Sequence, residues 1–275
     1  TNISFSNLNQ IGGDLNISGY NYCCNAQSWQ GGTNVDSLDF SSLQTVGNIS
    51  LNTLSYIEYL NFDALTTADE ISITGGSNST IWFGVSGLEL STFNNLQNVT
   101  KVSLQQTRFG EISGFQNLQT INELTIQNNS NTLTEISGFN NVTTINSLSI
   151  YSNSGLQICC VLYDLAQITT GNINIQSNGG NCSSTLNIAT SCGITFCGLS
   201  GQTTTIDTQT ELDNIMGCTD FYGDLILTDQ QTSSTFTNIN LPNLQTIEGN
   251  LNIQFPNTNI SFSNLNQIGG DLNIS

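Results

Sequence analysis

The chain has 275 residues, with 2 basic side chains (Lys101 and Arg108), 20 acidic ones and no histidine, for a formal net charge of −18. That balance excludes nucleic-acid binding through clustered Lys and Arg, disfavours anionic lipid headgroups, and removes the commonest general base and metal ligand. Only 8% of residues are charged and 37% are hydrophobic, so a packed core is within reach and Asn, Gln, Ser and Thr supply the polar surface.

Residues 1–18 read TNISFSNLNQIGGDLNIS. Within them LNQIGGDLNI (8–17) sets a pattern of an apolar residue, two polar ones, a second apolar residue, then an apolar-polar-apolar strand. Segment 18–39 reads as a long exposed insertion carrying the vicinal pair Cys23–Cys24. The pattern returns in LQTVGNISL (43–51), LTTADEISI (65–73), LQNVTKVSL (96–104), LQTINELTI (118–126) and VTTINSLSI (142–150). A second vicinal pair, Cys159–Cys160, precedes LAQITTGNINI (165–175), and Cys182, Cys192, Cys197 and Cys218 follow. The pattern resumes in LQTIEGNLNI (244–253). Finally 258–275 repeats 1–18 letter for letter, an offset of 258 − 1 = 257 residues. Tandem repetition of a 257-residue unit in a parent polypeptide explains that identity; the alternative is an overlap of the two ends without a biological repeat.

Most copies carry a phenylalanine three residues before the first apolar position: Phe5, Phe40, Phe62, Phe93, Phe115 and Phe139. An asparagine often directly precedes that position, as at Asn7, Asn95, Asn117, Asn141 and Asn243. A short strand with apolar ends and a polar centre has one face in and one out. A strand every 22 to 31 residues or so cannot bury its Leu, Ile and Phe alone, so successive coils must stack on one another. The expected fold is an all-β, right-handed parallel β-solenoid, with Asn and Gly at its sharp corners.

The run of Phe followed by Leu-x-x-Ile-x-Gly-x-Leu-x-Ile resembles the receptor L domain, the leucine-rich solenoid of insulin and epidermal growth factor receptors. ELDNIMGCTDFYGDLIL (211–227) is similar to that family's first rung, and SCGITFCGL (191–199) to the cysteine-bearing end and entry of such a domain. The resemblance implies a boundary near residue 198: 1–198 holds most of one solenoid and 199–275 the opening rungs of the next. A complete solenoid would then start near Leu199, run past Ser275 and continue with the equivalent of 19–198. It also implies a Cys197–Cys218 disulfide; Cys182 with Cys159 or Cys160 would close the last rungs. An even cysteine count without paired CxxC spacing points to disulfides and an oxidising compartment rather than zinc. Bridges within the domain, Cys23 and Cys24 included, come before bridges between protomers.

Stacking makes rows of equivalent residues. One runs Asp224, Asn250, Asp14, Asn48, Glu70, Lys101, Glu123, Ser147, Asn172, with Lys101 between two glutamates as an ion-pair ladder. A second, facing outward, runs Asn252, Asn16, Ser50, Ser72, Ser103, Thr125, Ser149, Asn174, and suits solvation or lateral packing. Glu111 and Glu135 open two near-identical turns, EISGFQN and EISGFNN. They read first as solvated carboxylates or partners of Arg108, then as calcium ligands, although no calcium-loop motif is present. A glycosidase dyad would need a cleft and aromatic platforms, and Trp29 and Trp82 lie far from both in sequence. Sequons at Asn2, Asn16, Asn48, Asn78, Asn98, Asn128, Asn141, Asn181, Asn259 and Asn273 would carry N-linked glycans in a eukaryotic secretory pathway.

No apolar run reaches the roughly 18 residues of a membrane helix, and no signal peptide is visible, as in a mature or internal fragment. The leading expectation is a non-enzymatic structural subunit of an extracellular, tandem-repeat glycoprotein filament or surface appendage, with neighbouring copies as partners and no cofactor. A cell-surface adhesion or receptor ectodomain binding protein or glycan is the alternative, and a polysaccharide-acting solenoid hydrolase the remote one.

Overall fold

The computed structural model describes residues 1–19, 35–75, 83–228, 236, 238–254 and 259–275. The chain is a right-handed parallel β-solenoid divided into two compact units, Thr1–Ser184 and Thr185–Ser275. The division lies N-terminal to residue 198, so the helix Thr185–Ser191 and the cysteine-bearing segment behind it go with the second unit.

In the first unit one seven-stranded parallel sheet runs from Leu15–Ser18 through Asn48–Asn52, Glu70–Thr74, Asn98–Gln105, Thr120–Gln127 and Thr144–Tyr151 to Ile173–Gln176. The register is the one the repeated pattern predicts: Leu15, Ile49, Ile71, Val102, Leu124, Leu148 and Ile173 stand in line. Two three-stranded parallel sheets form other walls, Asn2–Ser4 with Ser37–Asp39 and Tyr59–Asn61, and Phe83–Leu90 with Thr107–Ile112 and Glu135–Ile136. Burial follows the period of two: in Glu70–Thr74, Ile71 and Ile73 are buried while Glu70 is exposed.

The recurrent phenylalanines form one stack. Phe5, Phe40, Phe62, Phe93, Phe115 and Phe139 lie ring on ring with centroids 4.9–5.3 Å apart and near-parallel planes. That spacing is the rung spacing, so a ring at this position meets its counterpart above and below without any change of rotamer. Phe93, Phe115 and Phe139 adopt left-handed backbone at φ 70°, 63° and 68°, a cost the buried stack offsets. The Gly-Phe pairs of the EISGF turns follow from close backbone contact: a Cβ on Gly138 would lie 2.2 Å from the Gly114 carbonyl oxygen.

A second internal row escapes the sequence pattern. Asn129, Asn153 and Asn178 are buried one above another where each strand has just turned. The Asn153 amide donates to Asn178 Oδ1 at 2.9 Å and to the Ile126 carbonyl at 3.0 Å, while its own Oδ1 accepts from Asn129 Nδ2 at 2.9 Å. The row ends on Thr107, whose N–H and hydroxyl both donate to Asn129 Oδ1. The exposed asparagines ahead of each apolar run have a related job: Asn95, Asn117 and Asn141 donate to the backbone carbonyls of Asp63, Asn94 and Gln116 in the preceding coil.

The second unit has its own parallel sheet, with Asp220–Thr228 paired to Gly198–Ile206 on one side and to Leu251–Gln254 on the other, and Leu272–Ile274 at the edge. Among the described residues three short helices interrupt the strands, Val161–Ile168 in the first unit and Thr185–Ser191 and Gln209–Ile215 in the second. The last is closed by a capping box between Thr208 and Glu211. Its Thr-x-x-Glu signal stands in the sequence, but a helix of two turns carries too little apolar periodicity to be separated from a coil.

Candidate functional site

The candidate sites are rows of side chains set by the stacking. Glu111 and Glu135 are in register as neighbours, and Glu89, which the repeated turns do not flag, stands in register below Glu111. Neighbouring carboxylates in a parallel ladder are about 5 Å apart, where two charges in water repel by about 0.8 kcal/mol. The relief comes from serine: Ser113 donates to Glu89 Oε1 at 2.7 Å and Ser137 to Glu111 Oε1 at 2.6 Å. Those serines are the third letters of the two EISGF turns, so each turn supplies both a carboxylate and the hydroxyl for the carboxylate before it. A linear row presents its oxygens side by side rather than around a point, and among the described residues no three acidic or thiol groups converge as a metal ion requires. Arg108 forms no ion pair with either glutamate among the described contacts; its carbonyl accepts from Thr132.

Lys101 sits in register between Glu70 and Glu123 and bonds to the latter at 3.0 Å, with both side chains more than a third exposed. The uncharged row beside it is less open than alternation alone implies. Ser103 is 3% exposed and Thr125 9%; Gln105 donates to Ser103 Oγ at 2.7 Å and so roofs it, as Asn52 does for Ser50 at 2.9 Å. Side chains two residues apart on a strand share a face, which the length of Gln and Asn turns into a cover.

Along the starts of the strands Asn98–Gln105, Thr120–Gln127 and Thr144–Tyr151 and the segment before Glu70 runs a groove of about 460 Å3, lined by Asp69, Asn98, Thr100, Asn122, Thr144 and Asn146 among others. It crosses four successive coils, and Ala68, Val99 and Ile121 give it an apolar floor between the Asn and Thr side chains. The glutamate row does not line it.

Cys159 bonds to Cys182 and Cys197 to Cys218, one bridge inside each unit. Cys160 and Cys192 are also disulfide-bonded. Cys23, Cys24, Asn78, Trp29 and Trp82 lie outside the described residues. Of the sequon asparagines, Asn2, Asn16, Asn98, Asn128, Asn141, Asn181, Asn259 and Asn273 are exposed and Asn48 is half-buried. The Asn141 amide nitrogen is engaged with the Gln116 carbonyl at 2.6 Å, so a glycan there would compete with a contact between coils.

Among the described residues four groups have displaced pKa values. The Ser200 hydroxyl and the Gly223 N–H hold the Glu248 carboxyl below its ordinary value, and the Thr246 and Thr219 hydroxyls do the same for Asp220. Burial pushes the Glu211 carboxyl and the Tyr163 phenol up. None of the four adjoins the glutamate row in the described contacts.

Among the described residues Leu15–Ser18 pairs only with Asn48–Asn52, and Leu272–Ile274 only with Leu251–Gln254. Leu272 and Ile274 are 53% and 69% exposed, and Phe5 is 50% exposed. No helix among the described residues is long and apolar enough to cross a membrane. Compared with protein-family models, curated proteins and solved structures, the chain matches none.

Proposed function

We propose that this chain is a non-enzymatic structural subunit of an extracellular tandem-repeat filament or surface appendage, built from receptor-L-domain-like solenoids and carrying N-linked glycans. The observation that carries the reading is the eighteen-residue identity of 1–18 and 258–275, a period of 257 residues. A solenoid lengthens by adding coils, so a unit that recurs with its rungs intact is what a polymer of such units needs. The disulfides suit an oxidising compartment. The acidic surface, almost free of lysine and arginine, suits a durable extracellular coat. The glutamates lie in one row and not across a cleft from a partner acid, and Glu89 and Glu111 each accept from a serine, which favours a structural over a catalytic role. Electron microscopy of native material tests the reading. Beaded fibres with one bead per 257 residues support it; monodisperse single particles refute it.

The groove along four coils favours one second reading, a recognition surface for an extended glycan or peptide. Its Asn and Thr side chains could hydrogen-bond to hydroxyls and amides over an apolar floor of Ala68, Val99 and Ile121, and no aromatic residue lines it. Glycan-array binding that Asn122→Ala abolishes would favour this reading over the filament.

A further inference from the structure

The sequence contains one Asn-Gly dipeptide, Asn178–Gly179, and the fold sets it at the end of the buried asparagine row. Packing fixes both halves of it. The Asn178 amide nitrogen donates to the Ile150 carbonyl at 2.8 Å and to the Cys182 carbonyl at 3.0 Å. Its Oδ1 accepts the Asn153 N–H at 3.1 Å and the Asn153 side-chain amide at 2.9 Å. A carboxamide offers two donors and an acceptor in that shape, so the row calls for asparagine. Gly179 is required by the preceding coil, because a Cβ there would lie 2.2 Å from the Ser154 carbonyl oxygen. Together these needs write into a buried turn the dipeptide most open to ring closure, since no side chain beside a glycine nitrogen obstructs its attack on the preceding carboxamide.

We propose that Asn178 is a modification site gated by folding: inert while its coil is closed, converted to aspartate or isoaspartate when the coil opens, and unable to rebuild the row afterwards. In the reaction the Gly179 nitrogen gives its proton to hydroxide and bonds to Asn178 Cγ. The Cγ–Nδ2 bond breaks, and Nδ2 takes a proton from water and leaves as ammonia. Water then opens the five-membered imide. Cleavage of the nitrogen's bond to Cγ gives aspartate, and cleavage of its bond to the main-chain carbonyl carbon gives isoaspartate. One water is consumed and one ammonia released, without oxidant or cofactor.

The closed coil blocks the first step at both reacting atoms. The Gly179 N–H is engaged with the Asn153 carbonyl at 2.9 Å, and Cγ cannot turn toward that nitrogen without breaking the carboxamide's bonds to Ile150, Cys182 and Asn153. The products do not fit the closed coil. A carboxylate at this position has nothing to donate to the Ile150 and Cys182 carbonyls and would face both as a buried charge. Isoaspartate adds a main-chain carbon between the strand Ile173–Gln176 and Cys182, which the bridge to Cys159 holds in place. Asn129 and Asn153 precede serines, whose side chains hinder the same closure, so the row is most labile at Asn178. The site lies within the first unit and is independent of the filament reading.

The test uses the 275-residue chain with its disulfides intact, incubated at mildly alkaline pH either folded in buffer or held unfolded in urea. Peptide mapping by mass spectrometry follows each asparagine. In urea Asn178 is expected to convert first. In the folded sample it is expected to convert at least ~10-fold more slowly, because opening of the coil must precede the chemistry. The urea sample is then diluted, and refolded monomer is separated from chains that fail to refold. Chains converted at Asn178 are expected to be lost from the refolded pool, while chains converted only at exposed asparagines appear in both pools. Equal rates at Asn178 in the folded and unfolded samples overturn the proposal, as does another asparagine converting first in urea. A refolded pool that carries Asn178 conversion in the same share as the whole sample overturns it too.

Discussion

The coil at residues 35–52 and the coil at 1–18 are written in the same pattern, yet they differ in what becomes of their apolar side chains. Leu38, Leu43, Ile49 and Leu51 are fully buried, whereas Ile3, Leu8, Ile11, Leu15 and Ile17 are all partly exposed. Residues 259–275 repeat the contrast in the second unit, where none is buried. The side chains are equivalent and the backbone pairing is the same; what differs among the described residues is the number of neighbouring coils, two against one. Stability in this architecture therefore belongs to the interface between coils more than to any coil's own residues.

The largest effect should come from the phenylalanine stack. Phe115→Ala removes a fully buried ring with a ring on either side and should cost about 3–5 kcal/mol in denaturant unfolding. Phe5→Ala, at the half-exposed end of the same stack, should cost well under half of that; equal losses would break the comparison. Next is the buried asparagine row. Asn153→Ala strands donors and acceptors on Asn129, Asn178 and the Ile126 carbonyl, and should cost about 2–4 kcal/mol, since each orphaned group costs about 1–3. Gly138→Ala, forced against the Gly114 carbonyl, should cost about 1–3 kcal/mol, whereas Gly12→Ala on the edge coil meets nothing within 4 Å and should be near neutral.

Smaller still is the ion pair. Lys101→Gln should change stability by about 0.2–1 kcal/mol and lose that difference in high salt. The smallest effect concerns pH in the second unit. Asp220 and Glu248 have lowered folded pKa values, so their contribution is present at neutral pH and lost as the pH falls through those values, below the ordinary carboxylate range. Glu211, raised by burial, acts in the opposite sense: its contribution is largest in acid and is lost as the pH rises through its folded value. Asp220→Asn with Glu248→Gln should flatten the acid limb of the thermal midpoint against pH; an unchanged limb would discard the assignment.

Much of the architecture was legible because it depends on spacing. The apolar-polar-apolar strands predict the ladder register residue by residue, and the phenylalanine recurrence predicts a stack, because both repeat with the coil. The asparagines before each apolar run were visible as a recurrence, but their reach to the previous coil's carbonyls needed the turn geometry. Asn129, Asn153 and Asn178 hid among many asparagines, although QNNS, YSNS and QSNG share an asparagine two residues past the strand end. The glutamate row was half seen: EISGF marks Glu111 and Glu135, but Glu89 sits in LELS, which lacks the motif and joins the row only through pairing across a bulge. The roof that Gln105 makes over Ser103 is not legible, because alternation tells which way a side chain points and not what covers it.

Amide hydrogen exchange across the first unit tests most directly the claim that neighbouring coils supply the stability. Protection should be greatest in Asn98–Gln105, Thr120–Gln127 and Thr144–Tyr151 and fall steadily to Leu15–Ser18, the edge strand. Protection of Leu15–Ser18 equal to that of Thr120–Gln127 would contradict it.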